Sequence, residues 1–214
     1  MGIYQRKSLI TKITILGVVV SLHSLTGASN VRAENSPLEI IRTTTNQALK
    51  VLSSSANRDK TQRQQQIEQM WVVVLPKFNT KEIAQRSLGV HWQKLTNEQK
   101  EEFTQLFIEL VKKSYGSTLD RYSTEAQFLF DGEQVEGEYA EVQTRIKAPS
   151  QEDPFSVVYR LHQQNGTWLI YDVVAENVSL VQNYRNQFAR IIDKSSVEGL
   201  FDSLKHKLEE LKTT

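Results

Sequence analysis

The stretch Trp168–Ala189, WLIYDVVAENVSLVQNYRNQFA, changes its period halfway along. Up to Ala175 it alternates: Leu169, Tyr171 and Val173 fall on one face of a pleated strand, and Trp168, Ile170 and Asp172 on the other. From Leu180 onward the apolar residues Leu180, Tyr184, Phe188 and Ile191 recur at the spacing of one helical stripe, with Ser179 placed to cap the first free amides. Both faces of the predicted strand carry bulky apolar groups, so strand face and helix stripe can line one compartment. No catalytic chemistry lies between them, and a binding surface is the first reading.

Working outward, the period of two extends back to Tyr122. Phe128–Val135, Tyr139–Lys147, Phe155–Gln163 and Thr167–Ala175 read as four strands. Asn165-Gly166 is the favoured two-residue hairpin turn between the last two. Ahead of the strands the pattern is helical. Leu38, Ile41, Thr45, Leu49 and Leu52 form a stripe that Pro37 can begin, and a second helix runs toward Met70 and Val74 and stops near Pro76. A short helix over Thr80–Leu88 ends at Gly89. Thr96 and Gln99 form a capping-box signature for a long helix carrying Phe103, Leu106, Phe107, Leu110 and Val111 to about Tyr122. Helices over Ser179–Asp193 and Ser196–Leu211 close the chain. The expected fold is α+β: helices packed on one face of a curved four-stranded antiparallel sheet, a cone-like shape resembling the nuclear-transport-factor-2 group that encloses an apolar cavity.

The first 33 residues have the three parts of a secretory signal: basic Arg6, Lys7 and Lys12, an apolar run from Ile13 to about Leu25, and small residues before Ala33. The apolar run is short of the roughly 20 residues that span a bilayer. The expected division is a cleaved signal, 1–33, and a single domain, 34–214, exported to the periplasm. The segment Ser53–Gln66 reads as a solvated turn and a polar helix start. Cleavage leaves 22 basic against 25 acidic residues, a poor match for nucleic acid, which is held by clustered Lys and Arg. The chain has no cysteine, which excludes disulfides, lipobox anchoring, thiol catalysis and Cys-ligated zinc.

Catalytic patterns are sparse. His91, His162 and His206 lie on different predicted elements without ligand spacing and read as solvated surface histidines, so no metal and no cofactor are expected. The glycines are scattered at turns rather than gathered in a phosphate loop. Asp172, between Tyr171 and Val173, is open to two readings: a base paired with Tyr171 in an isomerase or hydratase built on the same cone, or a hydrogen-bonded carboxylate pinning the last strand. The second is the simpler, because no other titratable group has an evident role beside it. No catalytic residue is assigned, and the chain is read as a non-enzyme.

Two long gapped patterns carry a family resemblance. The first comprises Phe78, Ile83, Ala84, Leu88, Gly89, Trp92, Leu95, Thr96, Gln99, Phe103, Phe107, Tyr115, Leu119 and Tyr122. The second comprises Trp168, Tyr171, Asp172, Val173, Val178, Ser179, Leu180, Val181, Asn183, Tyr184, Arg185, Gln187 and Phe188. In this order they resemble the MlaC family, also called the toluene-tolerance family, of periplasmic phospholipid-binding proteins. One departure is Asn177, where that family usually has Gly; a left-handed backbone there suits Asn nearly as well.

The resemblance implies a monomeric carrier of phospholipid between two partners. One is an outer-membrane lipoprotein–porin complex, and the other an inner-membrane ABC transporter complex with its membrane-anchored lipid-binding subunit. The role implied is upkeep of outer-membrane lipid asymmetry. Candidates for a lipid-binding lining are Phe103, Phe107, Leu110, Tyr115 and Leu119 from the long helix, Tyr159, Tyr171 and Val173 from the sheet, and Leu180, Tyr184 and Phe188 from the helix after it. Each could equally be plain core. Arg185 could contact a head-group phosphate or hold its helix in place. Another apolar cargo, and a scaffold whose apolar faces are only core, are the other readings.

Overall fold

The structure, a computed structural model, describes residues 35–53, 59–122, 126–148 and 152–213. The predicted signal segment lies outside the described residues. Among the described residues six helices and five strands follow in the order α1 (Pro37–Leu52), α2 (Lys60–Val74), α3 (Thr80–Leu88), α4 (Asn97–Tyr122), β1 (Gln127–Glu136), β2 (Tyr139–Lys147), β3 (Phe155–Gln164), β4 (Thr167–Ala175), β5 (Val178–Ser179), α5 (Leu180–Lys194) and α6 (Val197–Thr213). Short 3-10 turns over Leu75–Lys77 and Gly89–Lys94 flank α3.

The helix starts are set by side-chain caps, each meeting an amide that the first turn would otherwise leave bare. Ser36 accepts from Glu39 N and Pro37 opens α1. Asp59 and Gln62 form a reciprocal box on α2, and Asn79 caps α3. Thr96 N donates to Gln99 Oε1 at 3.0 Å while Gln99 N donates to Thr96 Oγ1 at 3.2 Å, the box anticipated for the long helix.

The strands form one antiparallel sheet in the order β1-β2-β3-β4-β5, with helices packed against it. β5, only two residues long, is a strand the periodicity missed: it folds back on Val174 and Ala175 through the turn at Glu176 and Asn177. Both residues of that turn have positive φ, 48° and 64°, as do Asn165 and Gly166, at 50° and 78°, in the preceding hairpin. Such primed turns match the right-handed twist of the strands, and Asn177 adopts the left-handed backbone that Asn tolerates. Glu176, a costlier residue at positive φ, is held from both ends: Ser156 N donates to its carboxylate at 2.6 Å and its own amide donates to Ser156 O.

Buried apolar residues fall in three groups. A large cluster joins α3, α4, α5 and α6 around Phe103, Phe107, Tyr184, Phe188 and Phe201. A second lies between the inner sheet face and α1, on Ile41, Val142, Leu161, Trp168 and Ile170. The third joins α1 to α2 through Leu52, Ile67, Met70 and Trp71. Helices α2 and α4 meet at Gly116, where a Cβ would come within 2.8 Å of Ile67 Cγ2, so only glycine lets them approach this closely. The ion pairs Lys112–Glu68, at 3.2 Å, and Arg63–Asp120, at 3.5 Å, lie on either side of that crossing.

Candidate functional site

A cavity of about 410 Å³ lies where α1, α2, α4 and the sheet fail to close on one another. Helix α1 contributes Ile41, Thr44, Thr45, Ala48, Leu49 and Leu52, and α2 with its following turn contributes Met70, Trp71, Val74 and Leu75. Helix α4 presents Ile108, Val111, Lys112, Tyr115, Thr118 and Leu119. The sheet supplies Phe128, Ile146, Phe155, Val157, Tyr159, Ile170, Val173 and Ala175, and Val178, Leu180 and Asn183 complete the wall. Almost all of this wall is carbon. Tyr115, Leu119 and Val178 are 37, 40 and 59 % exposed while also lining the cavity, which marks them as its mouth. A second, more open depression, lined by Thr80, Thr104, Gln105, Ile108 and Glu109, shares only Ile108 with it.

Two charged side chains border the cavity and both are engaged. Burial pushes the Lys112 ammonium down, but hydrogen bonds and charge from Glu109 and Glu68 outweigh it and hold it above the usual lysine value. Its methylene stem lines the wall while its head pairs with Glu109 at 2.8 Å. Asp172 is buried and accepts from Ser179 Oγ at 2.7 Å, from Val173 N at 2.9 Å and from Val181 N at 3.1 Å, with the Arg160 guanidinium at 3.5 Å. It therefore fastens β4 to the start of α5, whose first turn Ser179 also caps through Gln182 N. The phenol of Tyr159, inside the cavity, is pushed up to about 12 by burial and stays neutral.

Of the residues proposed from sequence as lining, the structure places Tyr115, Leu119, Tyr159, Val173 and Leu180 on the cavity wall. The other six need correction. Phe103, Phe107, Leu110, Tyr184 and Phe188 belong to the solid helical core, with Phe107 and Tyr184 ring centroids 4.8 Å apart and Phe107 and Phe188 5.1 Å apart. The reason is helical geometry: Phe103, Phe107 and Leu110 project from α4 toward α5 and α6, whereas Ile108, Val111 and Tyr115, on a different side, meet the cavity. Burial first, then the neighbouring Tyr115, pushes the Tyr184 phenol up to about 12.

Tyr171 is displaced for another reason. Arg160 pairs with Asp172 but Leu161 pairs with Ile170, so Tyr171 is the extra residue of a bulge. The bulge shifts the alternation by one, and Ile170 and Val173, not Tyr171 and Val173, share the cavity side. Tyr171 instead lies under the Arg86 guanidinium at 4.3 Å and edge-on to Tyr139 at 6.0 Å. Its hydroxyl is raised by burial, against the pull of Arg86 and Arg160. The acid–base pair imagined for an enzyme is thus divided, with Asp172 committed to structural donors. Arg185 donates from Nε to Arg86 O at 2.8 Å and lies 3.3 Å from where a Cβ on Gly89 would be, so it ties α5 to the end of α3.

His162 also departs from the surface reading: its side chain is 18 % exposed, bonded to Glu82 at 3.1 Å and stacked on Tyr139 at 4.5 Å. Among the described residues no group of three metal-ligating side chains is present, and no helix is long and apolar enough to cross a membrane. The α1 and α2 walls went unassigned in sequence. The run MWVVV, Met70–Val74, carried a signal: it is apolar around more of the helix than one packed face requires.

Fold and cavity together define a helix-and-sheet protein with an internal apolar compartment. The chain belongs to the MlaC family, whose pattern it matches over residues 42–206. It is 22 % identical over 140 residues to the intermembrane phospholipid transport system binding protein MlaC of Haemophilus influenzae, an alignment covering 64 % of this chain and 65 % of that one. Its fold is similar to that of a phospholipid-binding protein from Ralstonia solanacearum solved in complex with a phospholipid. The TM-score is 0.72 and the identity 21 %, over 81 % of this chain and 97 % of the other.

Proposed function

We propose that this chain is a soluble periplasmic carrier that receives phospholipid acyl chains in its cavity and shuttles the lipid between membrane complexes. The carbon-walled cavity, with an apolar collar at Tyr115, Leu119 and Val178, is the observation that carries this reading. Family membership supports it, as do the phospholipid binding of the Ralstonia protein and the transport system of the Haemophilus relative. A diacyl lipid in water exposes on the order of 30 methylenes, at roughly 0.8 kcal/mol each a penalty of about 24 kcal/mol. A cavity that replaces membrane contacts with side-chain contacts lowers that barrier without nucleotide, metal or nucleophile.

In this proposal residues 1–33 are removed on export and 34–214 act as a monomer. The lipid-contacting residues are the wall set that includes Tyr115, Leu119, Tyr159, Val173 and Leu180. The partners are an outer-membrane lipoprotein–porin complex and an inner-membrane ABC transporter complex with its anchored lipid-binding subunit, and the outcome is outer-membrane lipid asymmetry. The chain does no catalysis.

The test is native mass spectrometry of the full chain expressed with export and purified from the periplasm, followed by lipid extraction. A phospholipid adduct that is lost in Leu180→Glu, with the fold intact by circular dichroism, supports the carrier. Bare protein from gentle preparations, or an adduct unaffected by that substitution, contradicts it.

A further inference from the structure

The two edges of the sheet are treated differently. At one, β5 pairs with the end of β4, and Asn79 N, at the start of α3, donates to Ile170 O at 2.8 Å. At the other, β1 pairs only with β2 among the described residues. From Glu133 to Tyr139 the strand and its turn are exposed without a break, Val135 by 49 %. Which backbone groups lie open follows from the hairpin. The two-residue turn Gly137-Glu138 joins Glu136 to Tyr139, so that pair exchanges hydrogen bonds, as does Gln134 with Glu141. The residues between, Glu133 and Val135, turn their N–H and C=O away from β2, and no other described backbone takes them up.

Charge decides what can pair with this edge. Gln127–Glu141, QFLFDGEQVEGEYAE, holds five acidic residues and no lysine or arginine. Arg145 pairs with Asp131 at 2.7 Å and Arg160 with Glu141 at 2.9 Å, each from the adjacent strand. Glu133 and Glu136 bond only to neutral donors, Leu38 N and the Gln134 amide, and with Glu138 they have no cation partner among the described residues. A second copy of this edge would bring these carboxylates against their own counterparts, which is destabilising. A strand that alternates basic and apolar residues would instead set its charges beside Glu136 and its apolar side chains beside Val135.

We propose that the free edge of β1 is a docking site for a basic extended segment of a partner protein, which adds to the sheet as a further strand. The site lies away from the cavity mouth. Val178, at the collar, pairs with Ala175 and through it with Val157, whereas Tyr139, beside the tip, pairs with His162. The run of β3 between Val157 and His162 rises roughly 17 Å. A strand docked at the tip therefore leaves the collar uncovered, and the inference holds whatever the cavity carries.

The test uses the exported full chain and a fluorescein-labelled octapeptide of alternating lysine and valine, with anisotropy for affinity and amide hydrogen exchange for location. The expected result is binding that slows exchange at Glu133 and Val135. A peptide of the same charge with alternate amides methylated should bind at least about tenfold more weakly. Val135→Pro should do the same, because it removes an outward N–H and leaves the β1–β2 ladder intact. Glu136→Gln combined with Glu138→Gln should weaken binding at least about threefold at low salt. Equal binding of the methylated peptide, unchanged exchange along β1, or no binding at all would overturn the docking strand. A dimer of the free chain that Val135→Pro dissolves would overturn it too, by making a second copy the occupant. If Val135→Pro fails to fold by circular dichroism, the methylated peptide and the glutamine variant decide. Each of these failures leaves the carrier reading standing.

Discussion

Helix α4 serves two apolar regions, and they differ in almost everything except chemistry. On one side Phe103 and Phe107, both wholly buried, interlock with Tyr184, Phe188 and Phe201 at ring separations of 4.8 to 6.2 Å. On another, Ile108, Val111, Tyr115 and Leu119 face α1, α2 and the sheet across empty volume. Close packing makes the first region rigid and stabilising, because every side chain has neighbours to attract it. The second forgoes that attraction and keeps space for a guest. Between them stands Asp172, holding the cavity's sheet wall to the helix that completes the solid core.

The largest effect that would break this contrast is in the solid core. Phe107→Ala should lose about 3–5 kcal/mol of unfolding free energy in denaturant titration, and a loss below about 1 kcal/mol would mean the aromatic cluster is not close-packed. Asp172→Ala, at the junction, strips acceptors from Ser179, Val173 N and Val181 N and should cost about 2–3 kcal/mol by the same measurement. A paired enlargement then separates the regions directly. Ala84→Leu, at a wholly buried position, should destabilise by about 1–3 kcal/mol, whereas Ala48→Leu, pointing at empty space, should be neutral within about 0.5 kcal/mol and should reduce copurifying lipid. The smallest stability change is expected at the collar: Leu119→Ala should stay within about 0.5 kcal/mol of the parent yet weaken binding of an acyl-chain probe.

Much of the architecture was legible in the residues. Thr96 with Gln99, Ser179 before Leu180, and Asn165-Gly166 are local devices whose geometry depends on a few neighbours, and each forms as anticipated. The two-residue β5 was not, since a strand that short has no period to detect. The bulge at Tyr171 was equally silent: its sequence alternates normally, and only the register against β3 shifts Tyr171 away from the side that Val173 occupies. The larger failure concerned Phe103, Phe107, Tyr184 and Phe188, which look like wall but are core. A residue that touches a neighbour and one that touches a void have the same helical spacing. What separates them is the placement of helices far apart in sequence, such as α2 against α4 at Gly116, and no local pattern reports that.

The most direct measurement uses the tryptophans. Trp71 lines the cavity and Trp92 is buried in the helical core. Two variants of the exported full chain would each keep one of these as the sole tryptophan, the others replaced by phenylalanine, and would be titrated with a phospholipid brominated along its acyl chain. Contact quenching of Trp71 fluorescence, with Trp92 left unquenched, is the predicted result; quenching of Trp92, or of neither while the lipid is bound, would contradict an acyl chain in this cavity.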